Sequence, residues 1–297
     1  MEFIRTFTQQ FQVGERATLS FEGRSGAVSV RGEETDEVRI EVVARLWAES
    51  ESEADDQAEL IARGIRHEGE RVTVRTPLLP RTGVFLFFGR GPRVDYQMTV
   101  PQRTKAQLNA RSGRVEIANI AGPLQIESRS GRISIREIGA DTSVVCRSGH
   151  LEIEEIAGSL SIESRSGKIQ VRGCKGDVQI DSRSGALQIE NAGGDVRVQN
   201  RSGSITISDA GVGVTVASHS GAVRYRGAIR GPFDIQLASG AVTLAVDPND
   251  HFFLDAETTS GIVRSDLPLR RGGAADGGDG PTVRIRTRSG SIRIMPR

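Results

Sequence analysis

Arg-Ser-Gly sets a hydroxyl between a guanidinium and a glycine. It recurs at a fixed interval of 18 residues: Arg111-Ser112-Gly113, Arg129-Ser130-Gly131, Arg147-Ser148-Gly149, Arg165-Ser166-Gly167, Arg183-Ser184-Gly185 and Arg201-Ser202-Gly203. His219-Ser220-Gly221 keeps the beat with the cation changed. Three chemistries could use such a set. A serine nucleophile needs a base held beside it. Of the four histidines, His67, His150, His219 and His251, only His150 and His219 fall in the regular array, four rungs apart, so the repeated serines have no repeated histidine partner and hydrolase chemistry is not expected. Glycine turns can cradle phosphate, but they are needed more often for positive φ or tight packing. The arginines are the stronger lead, because guanidinium binds carboxylate, phosphate or sulfate in bidentate fashion.

Alternation decides where those arginines point. In Ile126-Glu127-Ser128-Arg129-Ser130 the inward parity falls on Ile126, Ser128 and Ser130, so Glu127 and Arg129 face out. Stacked at the spacing of adjacent strands, Arg111, Arg129, Arg147, Arg165, Arg183 and Arg201 would form a stripe of about 24 Å. The competing reading has them cap turn carbonyls and pair with Glu127, Glu163 and Asp181. A formal net charge of only +1 favours that second reading.

Other constellations are weaker. Glu116 and Glu152 could be imagined as paired carboxylates, but they fall about 10 Å apart on a stack of strands and read as solvated positions. Calcium-binding β-rolls need Gly-Gly-x-Gly-x-Asp turns, which are absent. Cys146 and Cys174 occupy different columns and read as buried thiols rather than a disulfide. No zinc spacing exists. No enzyme activity, metal or cofactor is expected.

The elements that hold the motif follow from its columns. Two places after each glycine stand Val115, Ile133, Leu151, Ile169, Leu187, Ile205 and Val223, and the second half of each unit repeats the pattern from Leu124, Leu160, Val178, Val196 and Val214. Period-two alternation of mainly β-branched residues is strand. Identical register in every unit favours a coil in which each column lies above its own copy. The fold expected is all-β, a single parallel β-solenoid of 18-residue rungs, right-handed by default, with one short helical insertion. Each rung reads as two main sheet faces, with a three-sided version of shorter sides as the alternative.

Along the chain, residues 1–47 read as an opening rung, with Arg24-Ser25-Gly26 as its turn. Its free edge would be a pairing hazard, and the insertion after it is a candidate cover. That insertion, 48–70, is acidic and then helical in pattern. Residues 77–93 hold an apolar loop with Phe85, Phe87 and Phe88, either a plug for the solenoid or a surface for a partner. Regular rungs run over 111–221, and irregular rungs with a glycine-rich loop fill 222–297.

The opening rung with its Ser-Gly turn, the helical insertion, the strand VDYQMTVP and the RSGRVEI-type repeats together resemble the bacterial β-strand-repeat, adhesin-like family (domain-of-unknown-function family 4097). That family is similar to the head domains of "putative auto-transporter adhesins", which are β-helices. The resemblance spans nearly the whole chain and implies a β-helix without assigned catalytic residues. The expected role is therefore a non-enzymatic, structural or interaction protein of adhesin-like kind. It would use a solenoid face to bind a protein partner or itself. The alternative is an acidic glycan or other polyanion held along the Arg stripe. Near-neutral charge gives no bulk attraction to nucleic acid. No stretch reaches membrane-spanning length, and the opening Met1-Glu2-Phe3-Ile4-Arg5 carries no signal-peptide pattern. As written, a cytoplasmic location is expected, or the cell surface if a signal was trimmed.

Overall fold

Alternating apolar and polar residues become strand along most of the chain. The computed structural model describes residues 1–79, 92–267 and 280–297. Phe85, Phe87 and Phe88 lie outside the described residues. Two compact units divide the chain, Met1–Arg147 and Ser148–Arg297. The first carries β1 (Glu2–Gln12), β2 (Arg16–Gly23), β3 (Ala27–Glu33), β4 (Glu37–Trp47), α1 (Glu51–Arg63), β5 (Ile65–Glu68), β6 (Arg71–Arg75), β7 (Arg93–Pro101), β8 (Arg103–Ile120) and β9 (Leu124–Ile138). β10 (Thr142–Ile156) begins in the first unit and ends in the second. The second continues with β11 (Leu160–Cys174), β12 (Val178–Ala192), β13 (Val196–Ala210), β14 (Val214–Arg226), β15 (Phe233–Val246), β16 (Phe253–Ser260), β17 (Val263–Ser265), β18 (Thr282–Ser289) and β19 (Ile292–Pro296).

The second unit shows the rung in its regular form. β11 to β14 pair in parallel, each residue beside the one 18 places on, as in Ile162↔Ile180↔Val198↔Val216. This is the parallel β-solenoid of the sequence reading. Within β12 the buried side chains are Val178, Ile180, Ser182, Leu187, Ile189 and Ala192. Parity breaks where the chain bends. Arg183-Ser184-Gly185 makes the first bend, with Gly185 at φ +135°. Glu190 and Asn191 both leave the core, and Asn191 sits at φ +56° before Ala192 turns back in. Gly193-Gly194-Asp195 makes the last bend, where the Asp177 carboxylate accepts from the N–H of Asp195 at 2.9 Å. Three bends per rung therefore settle the two-sided or three-sided alternative as three-sided.

The middle bend is a file of left-handed residues. Asn119, Glu137, Glu155, Gly173, Asn191 and Asp209 all have φ between +54° and +70°. Asn, Asp and Gly tolerate that region, whereas the two glutamates carry its cost, roughly 1–2 kcal/mol each. After each of them the chain returns one small or apolar side chain to the core: Ile120, Ile138, Ile156, Cys174, Ala192 and Ala210. Cys146 and Cys174 are buried thiols that do not form a disulfide with each other.

Stacking order departs from chain order at the start of the first unit. β8 pairs with β9 on one side and with β2 and β3 on the other. β2 and β3 in turn pair in parallel with β6 and β7. The rung at residues 16–33 is thus enclosed between the rung built from β6 and β7 and the rung of β8. The edge of the opening rung is covered by a further rung, but β6 and β7 supply it from outside the predicted insertion at 48–70, whose β5 joins only by pairing with β6. That added rung is finished by antiparallel strands: β5 on β6 (Ile65↔Val74) and β4 on β7 (Ile40↔Met98), with β1 on β4 (Phe7↔Val42).

α1 packs against β1, β4 and β5. The Ser50 side chain caps it by accepting from the N–H of Glu53, and the Glu53 carboxylate reaches back to the N–H of Glu49 at 2.8 Å. Ala54, Gln57 and Ile61 are its buried residues. Gly64 ends it at an ordinary helical φ of −73°. Glycine is needed there because a Cβ would stand 2.1 Å from the carbonyl oxygen of Arg75.

The second unit repeats the device at its far end. β18 pairs with β15 on one side and β16 on the other, so that Ile235, Ile285 and Ala256 lie in one file. β19 sits likewise between β15 and β17. The segment nearest the chain's end is therefore the next-to-last rung. In the outer rung the inward file is Leu254, Ala256 and Thr258, with the small Ala256 opposite Ile285. No helix among the described residues is long and apolar enough to cross a membrane.

Candidate anion-binding corner

Every Arg-Ser-Gly sits at the first bend of its rung, and the glycines fix it. A Cβ on Gly131 would lie 1.9 Å from the carbonyl oxygen of Gly113, and the same 1.9 Å separates Gly185 from Gly167 and Gly203 from Gly185. Backbones meet this closely only where no side chain intervenes. Glycine here is structural and leaves no concavity for phosphate.

The serines are occupied as well. Ser112, Ser184 and Ser220 donate their hydroxyls to the carbonyls of Arg24, Arg165 and Arg201 in the adjacent rung, at 3.0, 3.3 and 3.4 Å. The inward file behaves differently from the ladder its repetition suggests. Ser128 and Ser218 donate to the carbonyls of Ser130 and Ser220, and the Asn200 amide to Ser202, each two residues on within its own bend. The Ser182 hydroxyl is buried with no hydrogen-bond partner. Apart from Ser182, these side chains bond backbone carbonyls and so hold the bend.

The arginines face outward. Arg111, Arg129, Arg147, Arg165, Arg183 and Arg201 are all exposed. In the second unit Arg165, Arg183 and Arg201 follow one another at the same register position, at a spacing of about 4.8 Å per rung. Among the described residues no carboxylate lies within ion-pair distance of Arg111, Arg147, Arg165, Arg183 or Arg201, so the expected pairing of Arg165 and Arg183 with Glu163 and Asp181 does not form. The reason is the repeat itself. A strict period stacks Arg on Arg and Glu163 on Asp181, like on like, so an opposite charge stands in the next rung only in files whose residue type changes.

Such files exist elsewhere on the surface. Arg172 bridges Glu154 and Glu190 of the flanking rungs at 3.0 and 3.2 Å. The hydrogen bonds it donates to Glu154 and then to Glu190 push its pKa further above the ordinary guanidinium value. Arg197 meets Asp195 at 2.7 Å, and Asp255 holds Arg284 and Arg286 at 3.3 and 3.2 Å. Glu116, one of the carboxylates weighed from the sequence, faces Arg114 at 3.6 Å. Among the described residues no three His, Cys, Asp or Glu side chains converge as metal ligands would.

In the first unit the file begins earlier than the period suggests. Arg24 lies beside Arg111, since the N–H and hydroxyl of Ser112 both bond the Arg24 carbonyl and Gly113 lies over Gly26. Arg24 is absent from the sequence-derived stripe because the intervening insertion carries its neighbour far along the chain. The triplet Arg24-Ser25-Gly26 was the available signal. An open groove beside this pair is lined by Arg93, Arg114, Leu78 and Pro92. Arg93 and Arg45 both pair with Asp95, at 2.9 and 3.2 Å, so the groove keeps Arg24 and Arg111 as its unneutralised cations among the described residues.

The family described as Toastrack DUF4097 matches residues 17–227 and again 175–295. Among solved structures, a "putative cell adhesion protein" from Clostridium sporogenes aligns over 99% of this chain and 100% of its own, at 12% identity and a TM-score of 0.23. A "putative adhesin" from Bacteroides fragilis aligns over 98% and 97%, at 9% identity and a TM-score of 0.38. Neither superposes closely enough to inform on this chain's function. No curated protein matches it.

Proposed function

The chain belongs to the Toastrack DUF4097 family, and from that footing we propose that it is a non-enzymatic interaction protein of adhesin-like kind whose solenoid surface receives a protein partner. One observation supports a specific surface for this. At the bends of the second unit Arg165, Arg183 and Arg201 follow one another with no carboxylate within ion-pair distance among the described residues, whereas Arg172 and Arg197 are paired, on a chain with a net charge of only +1. Like charges a rung apart cost stability, and that cost is recovered when an acidic partner threads the file. The partner's chemistry is a row of carboxylates, sulfates or phosphates. An acidic segment of a protein fits it.

A second reading is favoured by the same file: an acidic polysaccharide laid along it. Retention of the full chain on immobilised poly-glutamate and on heparin, read as the salt needed for elution, tests both. Arg165→Gln, Arg183→Gln and Arg201→Gln together should lower that salt markedly on the matrix that mimics the partner. Arg172→Gln, Arg197→Gln and Arg284→Gln remove the same charge from paired positions and should lower it far less. Equal losses from the two triple variants would overturn both readings.

A further inference from the structure

We propose that β1 is a docking edge for a second copy of this chain, with two β1 strands pairing antiparallel across a two-fold axis to join two β1–β4–β7 sheets into one. β1 pairs with β4 over all 11 of its residues, from Glu2↔Trp47 to Gln12↔Glu37. No other described strand pairs with its far side. A long regular strand with open N–H and C=O groups is a template for another strand.

Other end strands are guarded and β1 is not. β5 has four residues, three of them Arg66, His67 and Glu68. β16 carries Asp255 and Glu257, held by Arg284 and Arg286, and β17 has three residues. β1 runs from Thr6 to Gln12 without a charge, a proline or a glycine. Its exposed face includes Ile4, at 59% exposure.

The second copy is indicated by self-complementarity. In a continuous sheet a two-fold axis normal to the plane sets residues of one face opposite each other, and centring it on Phe7 gives full overlap. Thr6 then faces Thr8 of the other copy, Ile4 faces Gln10, and Glu2 faces Gln12. On the other face Phe7 meets Phe7, Phe3 meets Phe11, and Arg5 meets Gln9. No like charges coincide, and the half-buried phenylalanines form one continuous row. Arg5, the only cation of the strand, is already held by Asp55 at 2.6 Å and Glu51 at 3.2 Å from α1. An isologous contact of this kind closes at two copies. It involves none of the Arg file, so the two ideas stand or fall separately.

Sedimentation equilibrium of the full chain, from low micromolar to several hundred micromolar, tests the proposal. The wild type should pass from monomer to dimer. Thr6→Lys with Thr8→Lys sets Lys against Lys at exposed positions. It should raise the dimer dissociation constant at least ~10-fold, with circular dichroism and thermal unfolding unchanged. Thr6→Glu with Thr8→Lys sets opposite charges together in the same register and should restore the dimer. A wild type that stays monomeric, a double-lysine variant that dimerises like wild type, or a Glu/Lys pair that stays monomeric would each overturn it.

Discussion

Gly185 lies so close over Gly167 that the Cβ it lacks would stand 1.9 Å from the Gly167 carbonyl oxygen. The contact recurs along the file, with Gly203 over Gly185 and Gly221 over Gly203. It joins adjacent rungs at the bend that also carries the exposed arginine.

Gly185→Ala must therefore both relieve a backbone clash and leave φ +135°. The expected loss is on the order of 3 kcal/mol or more. Gly69 gives the control, since it is at φ +59° and a Cβ there would meet nothing within 4 Å. Gly69→Ala should cost about 1 kcal/mol, the conformational part alone. Urea unfolding midpoints compare the two, and equal losses would remove close packing as the cause.

At the middle bend the opposite change is available. Glu137 has φ +55°, where Asn119 stands in the preceding rung. The Asn119 amide also donates to the Gly32 carbonyl at 2.7 Å. Glu137→Asn is expected to stabilise by about 0.5–1 kcal/mol through the easier left-handed conformation alone. A higher thermal midpoint checks it, and an unchanged one would mean the strain is relieved in some other way.

Two buried phenols set an upper limit of pH. Burial pushes Tyr96 up to about 12, partly offset by its 2.9 Å hydrogen bond with Thr76. Burial likewise pushes Tyr225 up to about 12, and the bond its hydroxyl donates to the Ala228 carbonyl at 2.6 Å also favours the protonated phenol. An unfolded tyrosine titrates near 10. Below that pH both states keep the proton and stability does not change. Between about 10 and 12 the unfolded chain ionises first, and each ring costs about 1.4 kcal/mol per pH unit. Chemical denaturation near pH 9 and pH 11 should show wild type losing more than the Tyr96→Phe/Tyr225→Phe variant. Parallel losses would assign the alkaline limit to other groups.

The position of β18 between β15 and β16 makes a prediction about motion. Chain ends normally fray first. Here the amides of Thr282–Ser289 should exchange with deuterium more slowly than those of Phe253–Ser260, although they lie nearer the C-terminus. Faster exchange in β18 would contradict its enclosure.

Much of this fold is legible in the sequence because a strict period repeats the same instruction. The files headed by Leu160 and Ile169 are buried where alternation puts them. Three features were hidden for separate physical reasons. The middle bend is a shared φ rather than a shared residue, since Asn119, Glu137 and Asp209 have no chemistry in common except tolerance of, or strain in, one conformation. Rung order at the two ends is silent because Val28 can pair with Tyr96 as readily as with Val115, and the structure uses both. The freedom of Arg165 from Glu163 depends on what lies in the next rung, which spacing within one rung cannot show.

The enclosure of the Arg16–Glu33 rung also bears on how the polypeptide is made. This segment emerges from the ribosome early, yet the partners for its two borders, β6–β7 and β8, are synthesised later. Thr282–Ser289 likewise must enter a slot whose two walls, β15 and β16, are synthesised before it. Co-translational winding from one end therefore cannot complete either terminus. Both must wait, open and adhesive, which is when a holdase chaperone would matter most.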